Sequence, residues 1–475
     1  MKKRTVSKEI WQMGAGDIAE AIRAREITCT EVVRSHLLRI DEVNPLVNAV
    51  TEKLTERAFL MAEKADRQLE GGEHVGRLHG VPFTIKENID LAGSATTSGM
   101  IAGKDAISPV DAPHIARLLK AGAIPIARTN LSEMSMRPHT SNELHGTTLN
   151  PWSPALTCGG SSGGDAVAVA TGMTPLGMGN DYGGSLRVPS QFCGVASIKP
   201  GLGRVASHSA LLPSDPALTM QLFFSNGPIA RRVCDLRSSF YAMSGYDARD
   251  PWWTPAPFGN GQKPHPFRVA LVKSAAGVEI DPSSSAALDL AALYLADSGY
   301  LVEEAEPPLI IDGWRLFIEL VAIELRTLFI PMVKPFMSKK IEKFLKYFCG
   351  MFPGGTLADY MSGFALRNSI AREWNLFFEK YPVIVGPVYS GAVPVVDFDI
   401  KSEDSFFTFM ANSKLVFMAN LLGLPAVSLP VGMHNGLPVS VQIISGRFRE
   451  DTALDVAENI EKSVKQVTPV TPGRI

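Results

Sequence analysis

Two glycine-rich turns, each carrying a serine, flank one apolar helix and one apolar strand in this chain. The first is Gly159-Gly160-Ser161-Ser162-Gly163-Gly164-Asp165, followed by the apolar residues 166–171. The second is Asn180-Asp181-Tyr182-Gly183-Gly184-Ser185-Leu186-Arg187-Val188-Pro189, entered from the apolar run 175–179. Glycine reaches backbone conformations closed to other residues, so successive N–H groups can converge on one point. That is the geometry needed to receive a developing oxyanion. One Gly-Ser turn is weak evidence, because such turns are common in loops. Two of them, with serines at positions 161 and 185, are a far more specific signal.

The pattern around the turns sets the fold class. Residues 81–85, 124–127, 175–179 and 196–198 read as short buried strands, with helices between them, one near 114–121 bounded by Pro113 and Gly122. Such alternation predicts an α/β protein: a single large domain with a mixed, mostly parallel central sheet covered by helices on both faces. Residues 1–75 read as helices. Thr28-Cys29-Thr30-Glu31 forms a capping box there, and Asn44-Pro45 is expected to close the helix. Further on, 268–272 and 301–304 read as strands around a helix at 283–296. Residues 306–380 are helical and rich in aromatic side chains, among them Trp314, Phe317, Phe344, Phe348 and Tyr360. They fit an insertion that is either core or an apolar pocket wall. Strands resume at 383–385, 426–429 and 439–444, so residues 1–475 are expected to form one domain.

Composition narrows the partners. Lys and Arg number 46 against 48 Asp and Glu, with no basic stripe, which argues against nucleic acid. The five cysteines are scattered, odd in number and lack zinc-ligand or CxxC spacing, which fits a reducing cytoplasm. The cationic start is followed by no apolar run, and the stretch 317–337 is broken by Glu319, Glu324, Arg326 and Lys334. Neither a secretory signal nor a membrane span is expected. No residue cluster implies a metal or an organic cofactor. The expected partner is a small-molecule substrate, and the expected state a monomer or homodimer.

The two turns resemble the signature of the amidase signature family: Gly-Gly-Ser-Ser-Gly-Gly, then Gly-Ser/Thr-Asp-x-Gly-Gly-Ser-Ile/Leu-Arg-x-Pro. The family's upstream Gly-x-Pro-x-x-x-Lys strand is matched by Gly80-Val81-Pro82-Phe83-Thr84-Ile85-Lys86. The likeness extends over roughly residues 10–460, with 306–380 unmatched. It implies Ser185 as nucleophile, Lys86 as base, and Ser161 as a bridging serine on a cis peptide, at either Gly160–Ser161 or Ser161–Ser162. It also implies an oxyanion hole of backbone N–H groups from Tyr182, Gly183, Gly184 and Ser185, supported by Ser162, Asp181 and Arg187. Met134, Ser135 and Gly160 are candidate substrate contacts. Lys86 must be neutral to act, and burial can lower an ordinary lysine pKa of about 10.4 by up to about 3–5 units.

Three positions depart from the family pattern. Asn180 replaces Ser/Thr, as in some family members acting on nylon-type oligomers. Lys199-Pro200-Gly201 replaces Lys-Pro-Thr, and Arg137-Pro138-His139 stands where small residues are expected. The resemblance implies a hydrolase of amide-type bonds, with carbamates and esters presenting the same carbonyl. The aromatic insertion favours a bulky apolar substrate. The alternative is the glutamine-hydrolysing subunit of a tRNA-dependent amidotransferase. Residues 160–164 also fit Gly-x-Ser-x-Gly, a nucleophile elbow with Ser162 attacking and His434 or His265 assisting, but this leaves Lys86 and the second turn without a role. Cys193, His79 and His145 read as packing or pocket-wall residues.

Overall fold

The computed structural model describes residues 9–211, 214–259, 267–274 and 276–473. Among the described residues, eleven strands form one sheet. They are β1 (Val50–Lys53), β2 (Pro82–Lys86), β3 (Ile124–Thr129), β6 (Leu176–Asp181), β7 (Ala196–Lys199), β8 (Ser225–Ala230), β9 (Arg268–Leu271), β10 (Leu301–Glu304), β11 (Val383–Gly386), β12 (Ala426–His434) and β13 (Leu437–Ser445). The short strands β4 (Ser141–Asn142) and β5 (Gly146–Thr147) pair separately. The order across the sheet is β1-β3-β2-β6-β8-β7-β12-β13-β11-β9-β10.

The expected α/β domain is present, but its sheet is not mostly parallel. Among the described residues, six of the ten neighbouring pairs are antiparallel. Only β3-β2-β6 and β11-β9-β10 run parallel. Strand–helix alternation shows that crossovers exist, but not which strands a crossover makes neighbours. The β12–β13 pair is a hairpin whose Asn435-Gly436 turn has φ of 49° and 78°, the left-handed pair that a two-residue hairpin requires.

Alternation along the strands sorts side chains to two faces. Val269, Leu271, Val383, Val385, Val427 and Ile443 enter one apolar core, which also takes the N-terminal helices and the helix Gly163–Ala170. Ala270, Ile384, Ala426 and Ile444 enter the other, roofed by the helices Ile310–Glu324, Lys339–Gly350, Leu357–Lys380 and Lys414–Leu421. Helices thus cover both faces.

Two expectations fail in the N-terminal region. Residues 1–75 are not all helical, because Val50–Lys53 joins the sheet edge beside β3. The helix Cys29–Val47 also runs through Pro45 instead of ending there. Its C-cap is Asn48 at φ 52°, while Asn44 accepts from the amides of Ala49 and Val50. A proline so near the end removes one hydrogen bond, and the side-chain contacts of Asn44 fix the exit of the chain. The capping box at Thr28 and Glu31 is present. Among the described residues, no helix is long and apolar enough to cross a membrane. The cationic residues 1–8 and His265 lie outside the described residues.

Candidate active site

Lys86 ends β2 and Asp181 ends β6, its parallel neighbour, so both stand at the carboxyl edge of the sheet. Crevices outside the carboxyl ends of parallel strands are the usual ligand sites of α/β sheets. The two serine turns close over this edge. The Ser162 amide donates to the Ser185 carbonyl at 3.1 Å, tying the turns together. The Ser162 hydroxyl donates to the Asn180 carbonyl at 3.3 Å. The Gly160–Ser161 bond is cis. Gly160 has to be glycine here, since a Cβ would sit 2.7 Å from the Arg137 carbonyl oxygen.

Lys86 is fully buried, which excludes a surface lysine ending a strand. Its Nζ lies 2.6 Å from Ser161 Oγ and 2.7 Å from Asn180 Oδ1. Burial pushes its pKa down to about 7, against the opposing charges of Asp165 and Asp181. Asn180 exchanges hydrogen bonds with Asn88, whose Nδ2 reaches Ser135 Oγ at 2.9 Å. Asn180 stands out in the sequence as a departure, but its role as a partner of the lysine does not.

Ser185 is half-buried and lines a cavity of about 70 Å³, several times the space one water needs. Before it, the N–H groups of Tyr182, Gly183 and Ser185 have no acceptor among the described residues. The fourth expected donor differs. The Gly184 amide is taken by Asp181 Oδ1 at 2.8 Å, so it braces the turn. Gly184 holds φ 103°, a conformation that favours glycine. Asp181 and Arg187 are fully buried and paired through two hydrogen bonds of 2.9 Å. Burial alone would raise Asp181, yet the guanidinium holds it well below the usual carboxylate range.

Of the candidate substrate contacts, Ser135 and Gly160 line the cavity and Met134 does not. Met134 sits at φ 51° with its amide on the Ser98 carbonyl. The other walls are largely aromatic and apolar, with Phe317, Val321, Leu325, Phe344, Phe409 and Phe417 prominent. The 306–380 segment therefore supplies both core and wall. Phe409 and Phe417 come from later helices that no local pattern marks as lining. Arg137 and Pro138, two of the unexpected residues, also line the cavity, and Arg137 is held bidentately by buried Asp399.

The alternative nucleophiles find no setting. His434 lies on a separate cavity with Gln191, Asp281 and Ser440, away from Ser162. Cys193 Sγ donates to the Cys158 carbonyl, and burial pushes its thiol far up. His79 bonds the Ala65 carbonyl, and His145 pairs with Glu87 at 2.8 Å.

The amidase family profile matches residues 31–454. The chain belongs to the amidase family. This amidase is 42% identical to an indoleacetamide hydrolase of Bradyrhizobium diazoefficiens over 95% of its own length and 86% of that protein's. It is 29% identical to a glutamyl-tRNA(Gln) amidotransferase subunit of Methylococcus capsulatus, over 96% and 98% of the two chains. Among solved structures, a substrate complex of 6-aminohexanoate cyclic dimer hydrolase superposes with a TM-score of 0.83 at 26% identity, covering 98% of this chain and 99% of that one. The amidase is a hydrolase acting on carbon–nitrogen bonds.

Proposed function

We propose that this amidase cleaves the carboxamide of an arylacetamide-type substrate, releasing ammonia through an acyl-enzyme on Ser185. The observation that carries this reading is the aromatic-walled cavity lined by Ser185. The wall formed by Phe344 and by Phe317 stacked on Phe417 at 4.8 Å suits a flat apolar ring laid against it, and the likeness to an indoleacetamide hydrolase points to the same substrate class. Anilides, carbamates and esters share the reacting carbonyl and are candidates for side activity. Glutamine would place a charged amino-acid end against these walls, at a desolvation cost that nothing apolar offsets.

In the proposed mechanism neutral Lys86 takes a proton from Ser161, Ser161 takes one from Ser185, and Ser185 Oγ attacks the carbonyl. The free N–H groups of Tyr182, Gly183 and Ser185 face the developing oxyanion. One such donor is typically worth about 10²–10³ in rate. The relay then returns a proton to the departing ammonia, and water attacks the acyl-enzyme.

The test is ammonia release from indole-3-acetamide, phenylacetamide, acetamide and glutamine, with p-nitrophenyl acetate and an aryl carbamate as carbonyl controls. Turnover is expected to be best for the arylacetamides and to fall by about 10⁴-fold or more in Ser185→Ala. A preference for glutamine, or activity surviving in Ser185→Ala, would sink the reading.

A further inference from the structure

A hydrogen-bond chain with a buried centre joins the pocket wall to the oxyanion turn. Glu324 is the last residue of the helix Ile310–Glu324, and its carboxylate is buried. It accepts from the Thr219 amide at 2.9 Å, from the Thr219 hydroxyl and from the Tyr360 hydroxyl. Because the Thr219 hydroxyl gives its proton to Glu324, its oxygen is left to accept from Tyr182. The Tyr182 hydroxyl lies 2.6 Å away. The chain therefore runs in one direction, from Tyr182 through Thr219 to Glu324.

Each end of the chain bears on the site. Tyr182 carries one of the free amide donors, and its ring packs 6.0 Å from that of Phe317. On the other side, Val321 and Leu325, one turn before Glu324 and one residue after it, both line the cavity. Leu325 opens a π-helical turn, Leu325–Phe329, a departure from α geometry that often marks functional sites. A side chain filling the cavity thus presses on the same helix end that holds Glu324.

We propose that Glu324, Thr219 and Tyr360 are positioning residues that hold the Tyr182 turn in its oxyanion-binding shape, and that a bulky acyl group tightens this hold. The proposal rests on the arylacetamide reading above. The physical basis is that binding energy from a remote substrate part can be used to order the reacting centre, so truncated substrates lose kcat as well as affinity. A network of buried hydrogen bonds is stiff enough to transmit such ordering.

The experiment compares Tyr182→Phe, Thr219→Val, Thr219→Ser and Glu324→Gln with the wild type on phenylacetamide and acetamide. Tyr182→Phe keeps the ring and the backbone donor and removes only the tether, so folding is expected to survive. Loss of the tether should lower kcat on phenylacetamide by about 10-fold or more, with KM within about twofold. Thr219→Ser should restore it, and acetamide should be affected less. Phosphonylation of Ser185 by a fluorophosphonate, timed in the same variants, reads the oxyanion turn without any amide substrate. A wild type that is phosphonylated but cleaves no arylacetamide would refute the substrate reading, and the probe rates would still decide the tether. Unchanged kcat and probe rates in Tyr182→Phe would overturn the proposal. So would a rise in KM alone, or a Thr219→Ser variant as slow as Thr219→Val.

Discussion

In the proposed mechanism Lys86 works only when neutral, and its immediate neighbours decide at what pH that holds. With burial bringing its pKa to about 7, kcat/KM should rise with pH through a limb centred near 7 and level off above it. Asn180 Oδ1, 2.7 Å from Nζ, is the point at which to move that limb. Asn180→Asp would place a carboxylate against the ammonium form and favour it, raising the lysine pKa by about 1–3 units. Activity at pH 7 should drop about 5-fold or more and return as pH rises through the raised pKa. A pH profile with the limb unmoved, or moved towards acid, would show that Lys86 is not the titrating base. At this scale the paired glycine-rich turns mark Ser161 and Ser185 in the sequence, whereas Lys86 is singled out by the family resemblance and not by any local signature of its own. Asn180 as the lysine's partner is not legible, since that contact depends on β2 and β6 lying side by side.

Among the elements, the short helix Arg187–Cys193 holds the turn that carries Ser185 from behind. Arg187 directs its fork at both Asp181 oxygens, the Val416 carbonyl, Gln442 and Asn420. It thereby joins the turn to β13 and to the helix Lys414–Leu421. Arg187→Met would leave Asp181 buried without its partner, which typically costs about 3–5 kcal/mol. Lysine cannot rescue the site, because one ammonium does not reproduce a planar five-donor fork. Urea unfolding should show similarly lowered midpoints for Arg187→Met and Arg187→Lys, and a wild-type midpoint in Arg187→Lys would refute this. The folded-state pKa of Asp181 is lowered, so its stabilisation is complete above the ordinary carboxylate range and is lost as pH falls below it. The wild type should therefore lose more stability than Arg187→Met as the solution is acidified. Most elements of this region are readable from apolar runs and turn residues, and the helix expected near 114–121 is found at Pro113–Lys120. β1 and β8 are not readable in this way. β1 has only Val50 buried, and β8 contains Gly227 and Pro228, so neither shows a strand pattern.

For the whole molecule, the sheet separates two kinds of work. Among the described residues, the core packed with the N-terminal helices lends no side chain to the cavity at Ser185, whereas that cavity's apolar lining comes mainly from the second core, around the helices Ile310–Glu324, Lys339–Gly350 and Lys414–Leu421. The sequence shows an aromatic-rich segment but not its division into core and wall. That division depends on which side of each helix meets the sheet, and on Phe409 and Phe417 arriving from outside the segment. Strand direction is hidden for a similar reason, since pairing is decided by contacts between residues far apart in the chain. The arrangement predicts how binding spreads through the protein. A bound ligand suppresses local opening most where its contacts lie, and exchange of amides that open locally should slow there. In Ser185→Ala saturated with phenylacetamide, hydrogen exchange should slow across 310–324, 339–350, 403–421 and the turn at 180–188. The helices Cys29–Val47 and Thr55–Glu70, on the opposite face, should exchange as in the free protein. Slowing confined to 180–188 would mean that the aromatic roof does not grip the substrate. Equal slowing on both faces would mean that the sheet does not insulate them, and the coupling between pocket and oxyanion turn would then have to be a property of the whole fold.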